Sequence, residues 1–284
     1  EGDDAVTAPL FTNEKIFWDA TANNNAGAWT YGVKQYWIDG ATYDFAAIAP
    51  YGKYAVTNAT PDGVSLGFTN DGKTDLLYAQ NNDVEGPDSD GKVGFTFKHL
   101  LSKVMFTFTN GYDATNTVIA VKGINITNAY SEGTAQLGRG ASGVTAAWTP
   151  TADTNTLNLD FGDAVNAGDY IAQTESVSSA NSLLLIPTDD KTTYNVTFTI
   201  ELLYNVDGTY KKLTEYVHNN VSLTHNFEFG KSYNVATTID YTNIVPDDPN
   251  TPEDDKQKTI EFTVDDIDEW VDGGNAGVVF PENN

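Results

Sequence analysis

The chain has 284 residues, 40% hydrophobic and 12% aromatic, enough to bury a sizeable core and the length of two ordinary domains. Its net charge is −25, with 15 basic residues against 40 acidic ones and a single arginine, Arg139. Nucleic acid and anionic membrane surfaces both require clustered cations, so neither is a partner. The absence of cysteine excludes disulfides, thiolate metal sites and thiol nucleophiles, and no apolar run approaches the ~18 residues of a membrane helix.

The chain opens at Glu1-Gly-Asp-Asp4 without a methionine and reads as a mature or trimmed form. Residues 1–25 are polar around one apolar patch, Ile16-Phe17-Trp18, and Trp29, Tyr31, Tyr36 and Trp37 follow. Tyr43, Phe45, Ala47 and Ala49 alternate up to Pro50, where a strand must stop or lie at an edge. Val64, Leu66 and Phe68 alternate again, and Asp75–Ala79 is a short apolar run. Short strands parted by Gly, Asn and Asp turns predict a small β-sandwich. It closes at the polar stretch 81–91, which makes residues 1–91 one domain and 92–284 a second.

The stretch from Val93 to Phe108 reads as one long strand. Phe95 and Phe97, then Val104, Phe106 and Phe108, alternate around a break at 99–103 that predicts a bulge or kink. Val118–Ile126 is a strand with a bulge expected at Gly123, whereas residues 129–156, rich in Gly, Ala, Ser and Thr, have weak strand character. The run Leu183–Ile186 predicts a strand buried on both faces. Tyr194, Val196, Phe198, Ile200, Leu202 and Tyr204 share one face and lead into a hairpin whose Asp207-Gly208 pair signals a primed turn. After Val221, Leu223, Phe227 and Phe229 comes another strand at Tyr233 and Val235. The proline-rich acidic stretch 245–255 predicts a solvated loop. Ile260, Phe262 and Val264 alternate once more, and Gly273-Gly274 precedes a last apolar run, Val278–Phe280. No segment keeps a helical period beyond ~10 residues, so the expected class is all-β with at most a helical turn or two.

The search for chemistry yields no enzyme. His218 and His225 are expected on opposite faces of one strand, which is not a metal pair, and His99 is expected to satisfy local backbone groups. The Gly-Arg-Gly-Ala-Ser-Gly stretch at 138–143 lacks the lysine of a phosphate loop and reads as a flexible loop. The acidic stretches 88–91 and 247–255 resemble parts of a calcium loop but lack its twelfth-position glutamate. No catalytic residue, cofactor or metal is read from the chain. Trp29, Tyr31, Tyr36 and Trp37 are a candidate platform for stacking on sugars, and filling a core is the other use of such residues.

The order Phe45–Pro50, Asp75–Ala79, Phe95–Val104, then Leu183–Pro187, Phe229–Tyr233 and Ile260–Trp270 resembles the fimbrillin-like proteins of Bacteroidales, the subunits of type V pili. The resemblance implies two transthyretin-like Greek-key β-sandwich domains in tandem, and export as a lipoprotein whose acylated cysteine, the only membrane anchor, lies upstream. It implies a place at the cell surface, in a fimbrium at the outer membrane. Assembly with other pilus subunits is implied to proceed by strand exchange, after a protease removes an N-terminal strand. Adhesion to a host or bacterial surface protein or glycan is implied as well. The candidate donor strand is Val278, Val279 and Phe280, with packing in its own domain as the other outcome. The family's processing commonly follows an arginine near the N-terminus; here the early basic sites are Lys15 and Lys34. The alternative function is a carbohydrate-binding surface module built on the exposed aromatics.

Overall fold

A computed structural model describes residues 11–33, 35–38, 40–60, 62–85, 92–112, 114–140, 143–151, 156–164, 170–187, 193–243, 260–267 and 276–279. Among these residues strands dominate, and the helical content is two short turns, Ala22–Asn25 and Tyr241–Asn243.

A five-stranded sheet and a four-stranded sheet face each other in the C-terminal half. In the first, Ser102–Asn110 is central. It runs parallel to Ser232–Ile239 on one side and antiparallel to Ser176–Ser178 and Leu183–Leu185 on the other, with Thr263–Ile267 beyond Ser232–Ile239. The second is antiparallel, in the order Thr156–Gly162, Thr117–Tyr130, Thr193–Val206, Thr209–Thr224. Alternation explains the pairing: Val104, Phe106 and Phe108 from one sheet and Val196, Phe198 and Ile200 from the other are fully buried in one core. Phe106 meets Phe161 edge to face, 4.8 Å between ring centroids, across that core. The hairpin turns as the sequence requires, with Val206 opposite Thr209 and positive φ at Asp207 (51°) and Gly208 (81°). The register of Thr117–Tyr130 against Thr193–Val206 shifts between Lys122 and Asn125, around Gly123 at φ 60°, so the expected bulge is present.

The N-terminal sandwich has one sheet in the order Gly143–Pro150, Glu132–Gly140, Gly63–Thr69, Tyr54–Thr60, and a second in the order Tyr43–Ala49, Leu77–Val84, Lys98–His99. Its core holds Leu66, Leu76, Tyr78, Leu100, Ala135 and Ile186 among others. Tyr43–Ala49 ends before Pro50 and is an edge strand.

Three expectations are corrected by this topology. Val93–Phe108 is not one kinked strand: the chain passes through Lys92–Phe95, Lys98–His99 and Ser102–Asn110, each in a different sheet. Leu100 and Leu101 are both 0% exposed, which a single two-faced strand at a sheet surface could not achieve; the chain turns there between the sandwiches. The weak region 129–156 forms regular strands, because Gly133, Ala135 and Leu137 alternate inward and Gly63–Thr69 pairs alongside. Residues 138–140 and 143 of the expected flexible loop are therefore paired strand ends, with Arg139 opposite Val144 and Gly140 opposite Gly143, while residues 141 and 142 lie outside the described residues. That strand pair also crosses the expected division at residue 91, since its strands hydrogen-bond into the sheet of Tyr54–Thr60 and Gly63–Thr69.

Candidate functional site

On its outer face, the sheet of Tyr43–Ala49 and Leu77–Val84 carries a second, aromatic cluster. Ala79, Val93 and Phe95 are buried there, with Phe11, Tyr31, Trp37, Phe45, Ala47 and Phe97 packed around them. Trp37 meets Tyr43 and Phe45 edge to face at 5.0 and 6.0 Å, and Phe11 closes onto Tyr31 at 5.3 Å. Alternation along Tyr43–Ala49 sends Phe45 and Ala47 to this face and Ile48 to the sandwich core.

The C-terminal strand Ala276–Val279 lies at this cluster. It pairs antiparallel with Lys92–Phe95, Val278 opposite Val93 and Val279 opposite Lys92, and these two strands form a sheet of their own. Of the candidate donor residues, Val278 and Val279 thus pair within their own chain, and Phe280 lies outside the described residues.

The N-terminal segment crosses the same region. Lys15 is exposed, its Nζ 5.7 Å from the centre of the Tyr51 ring; Lys34 lies outside the described residues. Just before Lys15, the Glu14 carboxylate accepts the Gly32 N–H at 2.9 Å. Just after it, Phe17–Asp19 pairs with Ala28–Thr30, and Ile16, Phe17 and Trp18 are exposed.

The four aromatics of the sugar-platform reading differ in exposure. Tyr31 and Trp37 pack into the cluster, while Trp29 and Tyr36 are exposed. Trp29 instead partners Trp18, opposite it in register, edge to face at 5.7 Å. Gly27 makes room for this, since a Cβ there would stand 2.2 Å from the Trp18 indole.

A family model described as "Fimbrillin-like" matches residues 1–266. The chain belongs to the fimbrillin-like family. No curated protein matches it. Among solved structures it is similar to a fimbrial protein from Bacteroides vulgatus ATCC 8482, at 18% identity and a TM-score of 0.63, over 93% of this chain and 87% of that one. It also matches a chain named "putative cell adhesion protein" from Bacteroides ovatus ATCC 8483, at 15% identity and a TM-score of 0.41, over 86% and 75% of the two chains. The first likeness bears out the all-β fold, and the family is one of fimbrial, cell-surface proteins.

In this fimbrillin-like chain no described helix is long and apolar enough to cross a membrane. Among the described residues no group of three or more His, Asp or Glu side chains could hold a metal, and the acidic stretches 88–91 and 247–255 lie outside them. His99 partners the Asp75 carboxylate through Nδ1 at 2.8 Å, a side-chain partner that sequence reasoning missed because Asp75 lies on a different strand-loop unit. His218 stacks on Phe198 at 5.1 Å, and burial pushes its pKa below the usual imidazole range. His225 lies beyond the end of Thr209–Thr224, edge-on to Phe227 and Tyr233, so the two histidines do not share one strand. Glu201 is held by Lys122, with Lys212 also near; the Lys122 hydrogen bond lowers its pKa, against a smaller opposing effect of burial.

Proposed function

We propose that this fimbrillin-like chain is a fimbrial subunit that assembles by strand exchange and takes part in adhesion at the outer surface of the cell. In this reading it is exported as a lipoprotein, its lipid anchor lies upstream of residue 1, and it has no enzymatic role. The observation that carries the reading is the pairing of Ala276–Val279 with Lys92–Phe95. It is a four-residue, two-stranded sheet at the edge of an aromatic cluster, a contact small enough to open and re-form between chains.

Cleavage after Lys15 is the step that favours exchange. It removes Phe11 from the cluster and the Glu14 bond to Gly32, and so uncovers Tyr31 and the rings behind it. Exposed aromatic surface beside an open strand edge is stabilised by an incoming strand, which satisfies the backbone and buries the rings together. Val278 and Val279 of one subunit then take, on the Lys92–Phe95 edge of the next, the place they hold in their own chain. The test is limited trypsin digestion followed by size-exclusion chromatography and electron microscopy, with a variant lacking residues 276–284 alongside. Ladders from the clipped full chain and monomers from the truncated one are expected; clipped full chains that stay monomeric would remove the assembly role.

The carbohydrate-binding reading retains one supporting observation, the exposed pair Trp18 and Trp29, at 54% and 38% exposure. It requires Trp29→Ala to abolish binding in a glycan-array screen.

A further inference from the structure

A cleft of about 490 Å³ opens where the two sandwiches meet, lined by Lys73, Asp75, His99, Lys103, Ser182 and Leu184. Its walls come from both halves of the molecule: Lys73 and Asp75 from the loop after Gly63–Thr69, Lys103 from Ser102–Asn110, and Leu184 from Leu183–Leu185. Only 15 of the 284 residues are lysine or arginine, and the chain carries −25 overall. Two of those cations, a histidine and one carboxylate nevertheless stand among the described residues of its lining.

The cleft is a built feature. Asp71 Oδ1 accepts the N–H groups of Lys73 and Thr74 at 2.8 and 2.6 Å, and Thr74 Oγ1 donates to Asp71 Oδ2 at 2.7 Å. The loop is stitched to the opposite wall: Leu184 N–H donates to Gly72 O at 2.9 Å, and Asn70 Nδ2 donates to Leu184 O at 3.0 Å. Gly72 has φ 74°, and a Cβ there would lie 2.5 Å from Leu159 Cδ2, so the close approach requires glycine. The Asp75 carboxylate fixes the His99 ring. Among the described residues, Lys73 has no carboxylate within ion-pair distance.

These groups select a ligand class. Lys73, with no described carboxylate in ion-pair reach, favours one negative charge. Asp75 opposes a dense dianion such as phosphate, and the described lining has no arginine fork to overcome that repulsion. Asp75 and Ser182 supply an acceptor and a hydroxyl for a polyhydroxylated ligand, and the volume lies within the ~300–1,000 Å³ of small-molecule sites. We propose that this cleft binds a carboxylate-bearing sugar, a sialic or uronic acid unit, between Lys73, Lys103, Asp75 and Ser182. The inference is independent of strand exchange, since none of these residues lies in Lys92–Phe95 or Ala276–Val279.

The test is calorimetric titration of the full chain with N-acetylneuraminic acid, D-glucuronic acid, D-glucose and inorganic phosphate. Saturable binding of at least one sugar acid is expected, at least ~10-fold tighter than glucose or phosphate, as loss of a charge-assisted contact implies. Binding of neuraminic acid alone assigns a sialylated glycan as the source, and of glucuronic acid alone a uronic acid polymer. Lys73→Gln should weaken binding ~10-fold and Ser182→Asp should abolish it. Both residues are exposed, and unchanged thermal melting checks the fold of each variant. No binding of either sugar acid, binding that survives both substitutions, or phosphate binding as tight as the sugar acids overturns the proposal.

Discussion

Leu184 and Leu185 are adjacent in sequence and pack into different cores: Leu184 joins the N-terminal core with Ile186, and Leu185 joins the C-terminal core with Leu183. The strand is thus a shared wall, held in register by Leu184 opposite Lys103 and Leu185 opposite Ser102. Each Leu→Ala substitution should cost about 3 kcal/mol through its own cavity. Hydrogen exchange should show Leu184→Ala loosening Glu132–Gly140 and Gly143–Pro150, and Leu185→Ala loosening Thr193–Val206. Identical exchange patterns from the two variants would contradict a shared wall.

Glu201 should make the C-terminal sandwich acid-sensitive. Its folded pKa is depressed, so the unfolded chain binds more protons as pH falls, and the Lys122 interaction stabilises only above the carboxylate range. Glu201→Gln should lose about 1 kcal/mol at neutral pH, and the difference from the parent should vanish as pH falls through the folded pKa. Denaturant melts at a series of pH values measure this.

His218 should contribute at a higher pH. Burial against Phe198 lowers its folded pKa from the ordinary 6.5. Below that value the unfolded state takes up a proton that the folded state resists, so stability falls as pH drops from 6.5 toward the folded pKa. Above 6.5 both states are neutral and the effect disappears. His218→Phe should flatten this part of the stability curve while leaving the Glu201 limb in place.

Gly72→Ala should destabilise by about 2 kcal/mol, from the positive φ and from the contact with Leu159. Gly208→Ala, also at positive φ (81°) but with nothing within 4 Å of the added Cβ, should cost less. Thermal melting of both variants separates steric overlap from backbone strain.

Much of the fold was legible where side-chain alternation is strong. Tyr194, Val196, Phe198 and Ile200 sit on the core face, and Leu183–Leu185 is buried throughout, as their patterns require. The sequence failed where alternation runs through small residues: Gly133 and Ala135 are inward-facing but carry little hydrophobic signal. It also failed at Leu100-Leu101, where an apolar run that looked like a kink marks a change of sheet. The sites were less legible. Val278 is visible as a strand, but its partner Val93 lies far away in the chain. Lys73, His99 and Ser182 meet only through the sheet topology, so no local motif announces their cleft. Trp18 was visible as part of an apolar patch, but its link to Trp29 depends on hairpin register.

Strand exchange is tested most directly by cysteine pairing, since residues 1–284 contain no cysteine to confuse the result. Directly opposed antiparallel residues have Cα atoms ~4.5–5.5 Å apart, within disulfide range. One chain would carry Val93→Cys and a second, differently sized chain Val278→Cys. The two would be clipped after Lys15 under reducing conditions, mixed and oxidised. A disulfide-linked heterodimer joining positions 93 and 278 is the expected product, absent when the chains are left uncut. If the clipped mixture gives no such heterodimer, while both substitutions placed in one chain still close within it, the C-terminal strand stays with its own subunit and exchange is contradicted.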